Sequence, residues 1–124
     1  MVRAYYLYTG DDGHSHVKRG SIEVKHVIAA SSIEFKEDPP HSSLDWHNDP
    51  KPQYVLFLAG ALEFSTHTGE TFTVQPGEVL IAVDDTGTGH TWKLVNDQPW
   101  IRAYVIFQTG TDLHFVADEP VKLQ

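Results

Sequence analysis

The sequence predicts one all-β domain, a sandwich or short barrel of roughly eight to ten strands. Three observations carry this. Short apolar or alternating runs recur along the 124 residues, and glycine, proline, asparagine and aspartate break them at intervals that suit turns. Almost no stretch repeats apolar residues at i, i+3, i+4 and i+7 over three turns, so helix is disfavoured. The composition, 40% hydrophobic against 21% charged, belongs to a chain that buries a core and is not disordered.

The elements follow in order. Residues 2–8 read as a first strand and 9–13 as a turn. Residues 16–24 form a weaker strand and 27–35 another. Residues 36–52 read as a polar loop, with Pro39, Pro40, Pro50 and Pro52 set among acidic residues, His41 and His47. A loop of that length inside a compact domain is often functional. Residues 53–59 are a dense apolar strand that Gly60 allows to kink, and 61–65 continue it or begin the next. Residues 67–70 turn, 71–74 alternate as a short strand, and Pro76-Gly77 makes a tight turn. Residues 79–83 are β-branched and buried in character. Residues 84–89 are a second polar loop. Residues 90–95 and 100–107 are two further strands joined by 96–99, and the tail from Gln108 covers an edge or lies loose. With no internal repeat and no linker, the expectation is a single domain over residues 1–124.

Composition narrows the partners. The chain has no cysteine, which excludes disulfides, thiolate metal sites and cysteine nucleophiles. A net charge of −8 with only 9 lysines and arginines argues against nucleic acid and anionic membrane. Residues 1–10 lack the apolar run of a signal peptide, and no segment approaches the roughly 20 apolar residues of a membrane span. The expected compartment is the cytoplasm.

Two clusters carry a family pattern. The first is His47-Asn48-Asp49, then Gln53, then Gly60; the second is Pro76-Gly77-Glu78-Val79, then Gly87, then His90. With the apolar strand after Gln53 and the histidine opening a later strand, residues 46–107, about half the chain, resemble the cupin family. The resemblance implies a small double-stranded β-helix, a jelly-roll-like barrel with a site in its mouth. His47 and His90 take the positions of the family's first-motif and second-motif histidines. Asp49 stands where the second histidine of the first motif belongs, Gln53 where a glutamate belongs, and Leu94 where an asparagine often closes the second motif. What the resemblance implies is therefore part of a ligand set: a divalent ion (Fe, Mn, Ni or Zn) on His47, Gln53 and His90.

Strand alternation supports the geometry. It puts Gln53, Val55, Phe57 and Ala59 on one face and His90, Trp92 and Leu94 on another. If both faces point inward, Gln53 and His90 meet near one mouth and His47 drops in beside them. Asp49 is the deciding residue. Turned inward, it completes a two-histidine, one-carboxylate set with open positions; turned to solvent, it leaves a neutral and weak site. Pro50 biases Asp49 toward an extended backbone, which suits the inward placement. In the strand over 100–107, Trp100, Arg102, Tyr104 and Ile106 share a face. Arg102 beside aromatics suits a carboxylate or phosphate, and equally suits bulk water. His14, His16, His26, His41, His67 and His114 read as packed or surface residues, although His16 has a path to the barrel mouth.

Two functions compete. One is a metal-dependent enzyme performing dioxygenation, isomerisation or lyase chemistry on a small molecule. In it Asp49 is fourth ligand or general base, and Arg102 and Tyr104 position substrate. The other is a non-catalytic barrel that binds or senses a small ligand, its metal site degraded. Fold alone does not choose between them. The strand over 53–59 is apolar on both faces, through Tyr54, Leu56 and Leu58 as well, so a homodimer is expected to cover it.

Overall fold

Side-chain alternation on two facing sheets sets the architecture. The computed structural model describes residues 1–118; residues 119–124, the end of the domain expected over 1–124, lie outside the described residues. The strands are β1 (Val2–Thr9), β2 (Ser15–Ile22), β3 (Ser32–Asp38), β4 (Ser43–His47), β5 (Gln53–Ala59), β6 (Leu62–Thr66), β7 (Thr71–Val74), β8 (Val79–Ala82), β9 (His90–Leu94), β10 (Trp100–Ile106) and β11 (Phe115–Ala117). A seven-stranded sheet runs β11-β2-β1-β8-β5-β10-β3 and a four-stranded sheet runs β4-β9-β6-β7. All pairings are antiparallel except β1 with β8. No helix forms among the described residues, and none is long and apolar enough to cross a membrane. The result is an all-β jelly roll.

The core between the sheets takes Leu7, Val55, Phe57, Leu80, Ala82 and Trp100 from the larger sheet and Leu62, Phe64, Phe72, Val74, Trp92 and Leu94 from the smaller. On β5 and β9 these are the inward residues that alternation assigns. Aromatic rings meet across this layer: Phe57 lies 6.4 Å from Phe64, and Trp92 4.8 Å from Trp100.

Three expectations change. The polar loop over 36–52 contains the end of β3 and all of β4. Both strands are largely exposed, so their sequences carry little of the apolar pattern that marks a strand. The tail from Gln108 resolves into an edge cover, with β11 pairing β2. The outer face of β5, on which a homodimer was expected, is covered by the chain itself at Tyr54 and Leu56, while Leu58 stays 53% exposed. Tyr54 and Leu56 belong to a second core with Ala4, Val79, Ile81 and Phe107, and Ile28 and Leu113 from the segments flanking β3 and β11 pack onto it. Tyr54 Oη donates to the Leu113 carbonyl at 3.0 Å, which ties that cover down.

Candidate metal centre

The site begins at one irregular strand pair. Leu44 of β4 lies opposite Trp92 of β9, and His47 lies opposite His90. Three steps along β4 thus match two along β9, so β4 carries one extra residue, a bulge. With regular pairing Trp46 would face inward at this level. The bulge turns Trp46 outward, where it stacks on His67 at 3.5 Å, and brings His47 in. Residues opposite each other on antiparallel strands share a face. The His47 and His90 rings accordingly meet edge to face, 4.4 Å apart.

Gly89 makes the close approach possible. Its φ is +74°, and a Cβ there would lie 2.2 Å from the His47 carbonyl oxygen. Both the left-handed backbone and the contact require glycine. Gly89→Ala is expected to destabilise the fold by about 2–4 kcal/mol, read as a drop in melting temperature. Gly69→Ala, at another left-handed glycine with nothing within 4 Å of a Cβ, isolates the backbone part of that cost. Equal losses at the two positions would mean the approach to His47 is loose.

Each imidazole is oriented by its far nitrogen. His47 Nδ1 donates to the Asp45 carbonyl at 2.7 Å, so in the neutral tautomer Nε2 is the acceptor. His90 Nδ1 donates to Asp84 Oδ2 at 2.6 Å. Asp84 is fully buried and also accepts from Ser15 Oγ at 2.6 Å. A carboxylate behind an imidazole is the support that metal-binding histidines use to fix tautomer and ring direction. Burial pushes the Asp84 carboxyl up to about 6 and depresses His90, which favours a neutral imidazole.

Asp49 turns inward. It is 9% exposed, its N–H donates to the Asp84 carbonyl, and its Oδ2 lies 3.9 Å from His90 Nε2. That oxygen is buried with no hydrogen-bond partner among the described residues. Burial pushes the Asp49 carboxyl up to about 7; His90 opposes this and Asp84 adds to it. One donor atom from each of His47, Asp49 and His90 lies within 4.8 Å of the others, so the three form a group that can hold a metal ion. The donor chemistry fits a divalent cation. Two imidazoles have their Nδ1 atoms engaged by oxygen acceptors, and one buried carboxyl oxygen has no hydrogen-bond partner among the described residues.

The centre lies on the wall of a cavity of about 680 Å³ between the sheets. Gln53, 7% exposed at the start of β5, lines the same cavity, as do Arg102 and Tyr104 on β10. Arg102 is therefore interior, 5% exposed. It stacks 3.8 Å above the Trp100 ring, donates from Nε to Tyr104 Oη at 3.1 Å and pairs through Nη1 with Asp38 at 2.8 Å. Burial pushes the Tyr104 phenol up, so it stays protonated. Lys36 of β3, 5.7 Å above the Tyr104 ring, adds a second positive charge to this wall.

All six residues singled out from the sequence, His47, Asp49, Gln53, His90, Arg102 and Tyr104, thus border one cavity. His16 does not: it sits between Asp12 and Glu70 on the outside of β2. Sequence reasoning missed Asp84 and Ser15, and also Asn48, whose amide clamps the Thr86 carbonyl. Period-two alternation carried two residues past β8 reaches Asp84, because Leu80 and Ala82 already face the interior. It also missed a surface convergence of Glu23, His26 and His114, where the two rings stack at 4.2 Å.

Among solved structures, a DUF861 family protein from Thermotoga maritima matches with a TM-score of 0.50 at 22% identity, covering 60% of this chain and 77% of that one. The cumin domain of Drosophila melanogaster CENP-C matches with a TM-score of 0.45 at 15% identity, covering 82% and 71%. No family model matches the chain, and no curated protein matches it. The first likeness, together with the two facing sheets, gives this chain the cupin fold.

Proposed function

We propose that this cupin-fold chain holds a divalent transition-metal ion on His47, Asp49 and His90, with the Gln53 amide beside them, and acts on a small organic anion anchored by Arg102 and Tyr104. The observation that carries the reading is the convergence of three donors inside the barrel, one of them a buried carboxyl oxygen with no hydrogen-bond partner among the described residues. Nitrogen and carboxylate ligands suit Fe, Mn, Ni or Zn. When bound, such an ion supplies Lewis acidity and open positions for substrate or water. Dioxygenation, isomerisation and lyase chemistry are the reaction classes open to that centre.

The remaining roles fall to the chain. Asp49 neutralises part of the ion's charge, which Gln53 in place of a glutamate does not. Asp84 keeps the His90 proton on Nδ1, and the apolar walls of Val55, Phe64 and Leu80 exclude water. Arg102 is held flat by Trp100 and Tyr104, so its guanidinium is pre-set for a carboxylate.

Thermal shifts with oxalate, malonate and benzoate on Mn²⁺-loaded protein test this. One of these carboxylates is expected to raise the melting temperature of the loaded wild type. Arg102→Ala is expected to weaken that binding by about 10- to 100-fold, the worth of a hydrogen bond to a charged group. Arg102→Lys retains the charge and recovers only part of the binding. A carboxylate bound equally well by wild type and by the metal-free His47→Ala/His90→Ala protein would return the barrel to non-catalytic binding. No response from any protein would overturn the assignment of an anionic substrate.

A further inference from the structure

The free edge of the larger sheet at β3 is built to meet another strand. Among the described residues β3 pairs with β10 on one side only, and six of its seven residues are exposed. On its outer face Ile33 is 58% and Phe35 66% exposed, beside half-buried Val105 and buried Ala103 opposite them on β10. No proline or bulge interrupts the strand, and its register with β10 is unbroken from Asp38 to Ser32. An edge of this kind is a template for strand addition unless something covers it. The opposite edge, β11, is only three residues long.

We propose that a second copy of this chain covers the edge, the two β3 strands pairing antiparallel about a two-fold axis through Phe35. Charge selects the partner and the register. A two-fold axis normal to the sheet must pass through a residue, because opposed residues share a face. Centred on Glu34, the pairing sets glutamate against glutamate. Centred on Lys36, it sets lysine against lysine and Glu34 against Asp38. Centred on Phe35, it sets Glu34 against Lys36 twice, Phe35 against Phe35, Ile33 against Glu37 and Ser32 against Asp38. Of these three, only the last joins opposite charges with no like pair, and it alone overlaps all seven residues of the strand. A strand whose edge complements itself in this way is suited to an isologous contact.

The pairing also reaches the cavity. Glu34 and Lys36 line its wall, so Lys36 of one copy comes beside Glu34 of the other at the rim. The inference is independent of whether a metal binds.

Sedimentation equilibrium at tens of micromolar protein, with circular dichroism to confirm folding, tests it. Wild type is expected to be a dimer. Glu34→Lys sets a lysine against Lys36, and Lys36→Glu sets a glutamate against Glu34; each is expected to weaken the dimer by about tenfold or more. The double variant Glu34→Lys/Lys36→Glu restores the complement and the dimer. A monomeric wild type would overturn the proposal. So would a dimer that neither single variant weakens, or single-variant losses that the double variant does not recover.

Discussion

Asp49→Asn is expected to bind a divalent ion at least about 100-fold more weakly than wild type, at or beyond the upper end of what outer-shell changes cost. Without metal, the same variant is expected to be more stable than wild type by about 1–3 kcal/mol at roughly pH 8. The two effects share a cause. Asp49 places a carboxylate in the interior with one oxygen unpartnered. The folded protein holds that carboxyl at about 7, mainly through burial, against roughly 3.9 in an unfolded chain. A group raised on folding contributes stability that is full below about pH 4 and lost as pH rises through about 7. Metal-free wild type therefore carries the cost of a buried anion above neutrality, and the isosteric amide removes it. The ion needs that same charge, so metal-induced stabilisation should grow with pH across this window more steeply in wild type than in the variant, whose two imidazoles must still be neutral to bind. Melting curves with and without Mn²⁺ at several pH values check both arms. An Asp49→Asn protein with wild-type metal affinity would remove the carboxylate from the centre.

The second large effect belongs to Asp84. Asp84→Ala leaves His90 Nδ1 and Ser15 Oγ, both buried, without their acceptor. A loss on the order of 3 kcal/mol is expected, or a fall in melting temperature of roughly 10 °C for a chain of this size. Metal affinity should fall about 10- to 100-fold as the His90 ring loses its orientation. Asp84→Asn retains an oxygen acceptor and should lie between. The stability loss without the affinity loss would make Asp84 a packing residue with no part in the centre.

The parts of this arrangement legible in the sequence are those set by local pattern. β5 and β7 have their predicted bounds because alternation and flanking turns mark them. β3 and β4 were harder to read because they lie at sheet edges, where solvent tolerates Glu37, Asp38 and Asp45. The histidines of the centre were legible through their motif positions, and the inward turn of Arg102 was one of two faces that alternation left open. The direction of Asp49 was beyond local pattern, since it depends on a bulge in β4 and on backbone pairing with Asp84, both tertiary. Asp84 and Asp85 are neighbours of the same type in a polar loop, yet one is buried and the other exposed. Only the continuation of the β8 alternation separates them. The cover over the outer face of β5 was invisible for a similar reason: Ile28 and Leu113 lie in irregular segments, whose apolar residues carry no period.

Calorimetric titration with Zn²⁺ addresses the metal centre most directly, applied to wild type, His47→Ala/His90→Ala and His26→Ala/His114→Ala. The account predicts a tight site that the first pair of substitutions abolishes and the second leaves intact. A tight site that survives loss of His47 and His90, or that disappears with His26 and His114, would contradict it.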